Sequence, residues 1–514
     1  NWYILTANFI YFLKLFLVLS ILKNIYLPCI IIMRIKLGGV RMIKYRLESD
    51  SIGTLEVPAD AYYGVQSLRG QNNFHITGYK VSDTFIKALA YVKKATSKAN
   101  FEAGVITQEV EAAMVQAADE IINGGFRDQF ITDVIQGGAG TSMNMNMNEV
   151  IANRANEILG GELGKYDKCH PNDHVNYGQS TNDVVPTAGK LTVQFMIKDL
   201  LVSLQELFDT LQAKGEEFDH VIKMGRTHLQ DAVPIRLGQE FRAFSGPVAR
   251  DIKRIKEAVE ELTYVNMGAT AVGTGINADI NYVKNVVRIL SEVSGFDFKQ
   301  SPDLVDGTRN LDSFVWLSSA LKTCAVNLSK TANDLRLMAS GPKAGLAEIS
   351  LPQQQPGSSI MPGKVNPVIP EVLNQVCFQI FGNDITIVKA AEAGQLELNV
   401  FEPVLFFNLF QSIEILKNGI KTFIDNCLKG ITAQEENCKA WVDRSVGIIT
   451  ALNPHIGYKN AAEIAKLSIK TGTPVAQIVL ERGLLSKEDL DIILNPFEMT
   501  KPGIPGKELL NKSK

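Results

Sequence analysis

Residues 311–340 read LDSFVWLSSALKTCAVNLSKTANDLRLMAS, a run with neither glycine nor proline. Phe314, Leu317, Leu321, Cys324 and Leu328 recur within it at steps of three and four, which lays one apolar stripe along a long helix. Gly341-Pro342 then ends the pattern. The same spacing appears upstream in Val193, Ile197, Leu200, Leu204, Leu207 and Leu211. Two further helical stretches follow, Val372 to Val388, interrupted only by Gly382, and Pro403 to Cys427. Sustained strand alternation is scarce, and only the piece from Tyr45 to Val57, turning at Gly53, reads as a hairpin. Helices that are apolar on more than one face need partners on more than one side. They predict an all-α bundle whose outer faces meet other helices, including those of other subunits.

The chain has 514 residues, 46% apolar and 21% charged, the balance of a globular protein with a large core. That length corresponds to about three domains. The boundaries expected are 42–181 for an N-terminal domain, 182–436 for a central bundle and 437–514 for a small helical C-terminal domain. The net charge of −3 without a basic tract argues against nucleic acid as a partner. Six cysteines, at 29, 169, 324, 377, 427 and 438, show neither paired nor metal-ligand spacing. They are expected to be buried reduced thiols, with no structural metal.

Residues 1–41 stand apart, with five basic residues, no acid, and an apolar run over 9–33. Three readings are open: a membrane anchor, an export signal, or upstream sequence absent from the working protein. Lys14, Lys23 and Asn24 weigh against a lone membrane span, and no A-x-A cleavage site follows the run. Met42 stands just before the globular pattern begins. The third reading is therefore adopted, with a cytoplasmic location expected, or a membrane-anchored one if 9–33 is retained.

Between the helices lie four polar, glycine-rich segments: GGAGTSMNMN (137–146), NYGQSTND (176–183), GRTHLQD (225–231) and GSSIMPGKVNP (357–367). The last is the most informative. Gly357 and Gly363 let a loop bend over a ligand, while Pro356, Pro362 and Pro367 limit its shapes. It offers two adjacent hydroxyls, one cation and one amide, the set a small dicarboxylate needs. As a bare pattern it fits a capped turn equally well.

GSSIMPGKVNP resembles the signature loop of the fumarase/aspartase superfamily, and the other three segments resemble that family's remaining substrate-binding regions in the same order. The likeness runs from about Asp60 to Lys507 and takes in HPNDHVN (170–176) and MTKPG (499–503). VIPE (368–371), NQVC (374–377) and AEAGQLELN (391–399) resemble the aspartase branch, as do GTS (140–142) and YGQSTN (177–182). Fumarases usually carry Thr-Gln-Cys-Glu after the same Asn-Pro. His228 does not discriminate between the branches.

The resemblance implies elimination of ammonia from L-aspartate to give fumarate, without an organic cofactor, in a homotetramer whose sites each draw on three chains. It implies Ser358 as the base at C3, in a loop that closes over substrate. Thr141, Ser180, Thr181 and Ser359 would stabilise the developing aci-carboxylate. Lys364, Asn366 and Thr227 would hold the other carboxylate, Asn182 and His228 would sit near the amino group, and Glu371 would hydrogen-bond His228. Taken one at a time, each residue has a plainer reading. Thr141, Thr181 and Thr227 could be helix caps, His228 a structural histidine, and Lys364 a solvated charge. Four motifs in order favour the functional reading. His75, His170, His174, His220 and His455 are left as structural. Two alternatives stay open: a fumarate hydratase on the same scaffold, and a catalytically silent family member.

Overall fold

The computed structural model of the chain describes residues 44–511. The apolar leader, 1–41, lies outside the described residues. The expected hairpin is present as β1 (Tyr45–Asp50) and β2 (Gly53–Pro58), paired antiparallel. Four helices follow: α1 (Val65–Asn73), α2 (Asp83–Glu102), α3 (Gln108–Ile122) and α4 (Thr141–Ile158).

Next comes α5 (Thr181–Glu217), whose 37 residues at 1.5 Å each make a rod of roughly 55 Å. A hairpin of β3 (Ile222–Thr227) and β4 (Gln230–Arg236) turns the chain into α6 (Leu237–Glu261). The parallel pair β5 (Tyr264–Val265) and β6 (Lys299–Gln300) brackets α7 (Ile280–Ser294). Then come α8 (Leu304–Arg309), α9 (Asp312–Met338), β7 (Ile349–Ser350), α10 (Val368–Glu392) and α11 (Glu402–Asn426). β8 (Thr432–Ala433), paired with β7, leads to α12 (Glu435–Arg444). The chain finishes in α13 (Ile449–Ile456), α14 (Tyr458–Thr471), α15 (Val475–Glu481) and α16 (Lys487–Ile493).

Five of these helices close a ring: α5 packs on α6, α6 on α9, α9 on α10, α10 on α11, and α11 back on α5. The stripes legible in the sequence are its interior. Val193, Ile197, Leu200, Leu204, Leu207 and Leu211 on α5 are all buried, as are Phe314, Leu317, Leu321, Cys324 and Leu328 on α9. Burial of each such side chain is worth about 1.5–3 kcal/mol, so the ring needs no further explanation for its stability. α11 comes close to α5 because Gly189 faces the Phe406 ring, where any Cβ would collide. Helices α13–α16 enclose a second core, around Leu452, Ile464, Val479 and Ile493.

Ring helices that follow one another in the chain run antiparallel, whereas α11 lies parallel to α5 where the ring closes, with Gly189 against Phe406 and Glu206 against Lys429. Gln212 meets Ser245 across α5 and α6, and Lys322 meets Asp384 across α9 and α10. α5, α9 and α11 therefore point one way, and α6 and α10 the other. Cys169, Cys324, Cys377, Cys427 and Cys438 are free and buried, as expected, and Cys29 lies outside the described residues. Among the described residues no helix is long and apolar enough to cross a membrane. One face of α10 remains open, with Val372, Phe378, Ile385 and Val388 exposed by 41, 59, 66 and 38%.

Candidate active site

The first two polar segments meet at the N-terminal end of α5. Gly138, Ala139 and Gly140 all take left-handed φ values, 61, 52 and 90°, and so bend the chain sharply into α4. Thr141 is the first residue of α4, exposed, with its hydroxyl donating to the Gly138 carbonyl at 2.6 Å. Ser180 caps α5: its Oγ accepts from Asn182 N–H at 3.2 Å, and its own N–H donates to Asp183 Oδ1 at 3.0 Å. Asn144 of α4 donates to Thr181 Oγ1 at 3.3 Å and so joins the two helix starts. Thr141, Ser180, Thr181 and Asn182 thus share one end of the bundle, where two helix N-termini favour an anion.

Behind this surface is a buried polar layer. Asn176 Oδ1 accepts from Lys93 Nζ, Asn148 Nδ2 and Asn144 Nδ2 at 3.0, 3.1 and 3.2 Å. Lys93 also donates to Gln179 Oε1 at 2.8 Å. Burial lowers the Lys93 pKa to about 7 and raises that of Asp183 to about 7, each group's charge partly offsetting the other's shift. Pro186 lies inside α5 and lacks the N–H that would bond the Asn182 carbonyl. Asn266 Nδ2 donates to that carbonyl instead, at 3.0 Å. The Asn182 side chain in turn donates to Ala271 O at 2.7 Å.

The other two segments lie at the opposite end. Thr227 and His228 occupy the tip of the β3–β4 hairpin, where His228 and Leu229 form a two-residue turn with φ of 54 and 60°. Asn-Gly is the usual choice for such a turn, so His-Leu here is held in a strained backbone. Both residues are exposed. Arg226, one residue before Thr227, donates to Glu348 at 2.5 Å, and Glu348 directly precedes β7, from which the fourth segment departs.

In that segment Ser358 Oγ accepts two backbone N–H groups, from Ile360 at 3.2 Å and Met361 at 3.1 Å. Ser359 and Lys364 are exposed and Asn366 is half-buried. Gly363, at φ 83°, turns the loop back, and a Cβ on Gly357 would fall on the Lys364 carbonyl. Gly357→Ala is therefore expected to push the two arms of the loop apart and lower turnover by about 100-fold while leaving the melting temperature nearly unchanged. Steady-state kinetics and a thermal melt of the variant check this. Glu371 sits in the first turn of α10 and lies 3.8 Å from Arg336; among the described residues it has no bond to His228.

The two ends are far apart. Ser180 and Thr181 begin α5, while β3 starts five residues after its end, some 55 Å away along the helix. A six-residue strand spans only about 20 Å. One chain therefore cannot bring Thr227 or His228 to Thr181. A site with all four segments requires the end of one bundle to meet the opposite end of another.

Three contributors were not picked out from the sequence. The stretch 266–277 packs on the start of α5 through Asn266, Ala271 and Thr270, whose N–H donates to Asp183 at 3.1 Å. Its glycines at 268, 273 and 275 carry the same compositional signal as the other four segments. Lys93 was legible as a charge within the buried stripe of Leu89, Val92 and Thr96. Glu348 carried no local signal.

Comparison with known proteins gives a consistent picture. A family model described as lyase matches residues 53–382, and one described as fumarase C C-terminus matches 448–501. The aspartate ammonia-lyase of Bacillus subtilis (strain 168) is 58% identical over 469 residues, which cover 91% of this chain and 99% of that protein. The aspartate ammonia-lyase of Escherichia coli (strain K12) is 48% identical over 471 residues, covering 91% and 98%. Among solved structures, a fumarate lyase:delta crystallin from Brucella melitensis, bound to cobalt, superimposes with a TM-score of 0.87 at 47% identity. That match covers 89% of this chain and 100% of the other. A class II fumarase from Schistosoma mansoni gives 0.86 at 36% identity, again covering 89% and 100%.

Proposed function

Because this chain belongs to the fumarase/aspartase family of lyases, we propose that it is an aspartate ammonia-lyase, converting L-aspartate reversibly to fumarate and ammonia. The observation that carries the reading is 48–58% identity to aspartate ammonia-lyases along about nine-tenths of the chain. The fumarase from Schistosoma mansoni is more distant, at 36%.

Ser358 takes the proton from C3. A serine is a weak base, and its alkoxide needs donors. The N–H groups of Ile360 and Met361 already point at Oγ and supply them. Removal of the proton puts a second negative charge on the C4 carboxylate. Thr141, Ser180 and Thr181, at two helix N-termini, and Ser359 donate to this group as its charge grows, when such donors are worth most. Lys364, Asn366 and Thr227 hold the C1 carboxylate. Asn182 and His228 orient the amino group, with Glu371 behind His228. The C3–H electrons then form the C2–C3 double bond as ammonia leaves from the protonated amine, so the chemistry requires no organic cofactor.

The assembly we propose is a homotetramer, with the exposed Val372–Val388 face of α10 buried against other copies. Three units, 42–181, 182–436 and 437–514, make up each subunit. The buried free thiols favour a reducing, cytoplasmic setting.

The test is the ultraviolet absorbance of fumarate. It should rise with L-aspartate alone. A flat trace with aspartate but a rise with L-malate would make the protein a hydratase, and flat traces with both would make it a silent member. Lys364→Ala should raise the Michaelis constant for aspartate at least tenfold with a smaller change in kcat. An unchanged Michaelis constant would remove Lys364 from the carboxylate site.

A further inference from the structure

Asn182 is placed beside the amino group in the chemistry above, yet α5 does not hold it alone. Pro186 leaves the Asn182 carbonyl without its intrahelical donor, and Asn266 Nδ2, from 84 residues further along the chain, donates to it at 3.0 Å. The Asn182 side chain is held by the same stretch. Its Nδ2 donates to Ala271 O at 2.7 Å, and among the described residues its Oδ1 accepts no hydrogen bond. Asp183, the next residue, accepts the Thr270 N–H at 3.1 Å. The stretch that makes these contacts is itself fixed. Asn266 is buried and also donates to Thr308 Oγ1 of α8 at 3.0 Å, and Gln300 Nε2 donates to Met267 O at 2.9 Å. A Cβ on Gly273 would collide with the backbone of Val305. Thr270 takes φ 58°, a conformation costly for a β-branched residue, and its buried hydroxyl has no partner among the described residues. Strain of this kind persists where the surroundings fix it.

We infer that Asn266 is a positioning residue for Asn182, standing in for the N–H that Pro186 lacks and so setting the acceptor that meets the ammonium group of the substrate. The inference rests on the ammonia-lyase reading and deepens it. With alanine at 186 the first turn of α5 would close its own hydrogen bond, and its place would follow the helix alone. With proline there, the place of Asn182 is set from outside, by a wall anchored on α8. Because Nδ2 is engaged at Ala271 O, Oδ1 is left to accept from a cation. A small displacement of that oxygen misplaces the substrate nitrogen, and reaction rate is steep in such alignment.

A buried asparagine can serve stability alone, so the test reads the ammonia side of the reaction. In the direction from fumarate to aspartate, Asn266→Leu should raise the Michaelis constant for ammonia by about tenfold or more, with that for fumarate within about threefold of the parent. Adding Pro186→Ala restores an N–H to the Asn182 carbonyl from within the helix. The double variant Asn266→Leu/Pro186→Ala should therefore bring the ammonia constant back to within about threefold of the parent. A selective rise that the second substitution reverses supports the positioning role. An unchanged ammonia constant overturns it, as does a rise that persists in the double variant, or equal rises for both substrates. If Asn266→Leu alone fails to fold, the double variant is compared with Pro186→Ala: matching ammonia constants support the role, and a difference of about tenfold overturns it. Parent protein that makes no fumarate from aspartate would instead defeat the functional reading, so the two failures are told apart.

Discussion

Ser358→Ala should lose turnover of L-aspartate by about 10³–10⁴-fold while retaining affinity for a dicarboxylate such as succinate. The split follows from the loop geometry. The hydroxyl receives N–H groups from Ile360 and Met361 and, among the described residues, gives no hydrogen bond. Its removal leaves those two donors to water, in a segment that is mostly exposed. The groups proposed to bind the ligand, Lys364 and Asn366 in the same loop and the helix-end donors elsewhere, keep their places. Kinetics and calorimetry on one preparation measure both quantities. Turnover within tenfold of the parent would remove Ser358 as the base. A loss of turnover matched by a loss of succinate binding would show that the loop had collapsed.

The second large effect is recovery of activity by mixing two inactive proteins. Ser358→Ala and Thr181→Val disable opposite ends of the bundle, separated by most of the length of α5. If every site joins one end of one subunit to the opposite end of another, random mixed assemblies carry both intact halves in about a quarter of their sites. Unfolding the two variants together, refolding the mixture and following fumarate absorbance should recover about that share of parental activity, from components that each give almost none. Refolding them separately and then combining them briefly should recover little. Failure of the co-refolded mixture to exceed its components would mean that a site is built within one chain, against the roughly 55 Å separation derived above.

The scaffold was largely readable because the ring helices bury continuous stripes. Leu317, Leu321 and Cys324 mark α9 by spacing alone, and the same holds for Leu200, Leu204 and Leu207 in α5. Helix limits were less readable. α5 starts at Thr181, a dozen residues before the stripe at Val193, because its first turns are packed against neighbours on every side and show no alternation. The polar segments announced themselves by composition, but their pairing did not. Thr141 and Thr181 meet through Asn144, and Arg226 meets the loop segment through Glu348, contacts between residues 37 and 122 positions apart. No local pattern encodes such distances. Glu371 shows the same gap. Within one chain its cation neighbour is Arg336, and its expected partner lies on the exposed tip of a hairpin.

The length of α5 has a further consequence. A loop absorbs an added residue by bulging outward, but a helix that joins two functional ends cannot. One residue inserted near Leu200 would advance everything beyond it by about 1.5 Å and rotate it by about 100°. The hairpin tip would swing out of alignment while Ser180 stayed in place, and the buried stripe from Leu204 to Leu211 would turn toward water. In the proposed tetramer α5 therefore acts as a gauge rod, its residue count setting the spacing between the halves of different sites. Surface loops in this protein can vary in length; this helix can change its residues but not their number.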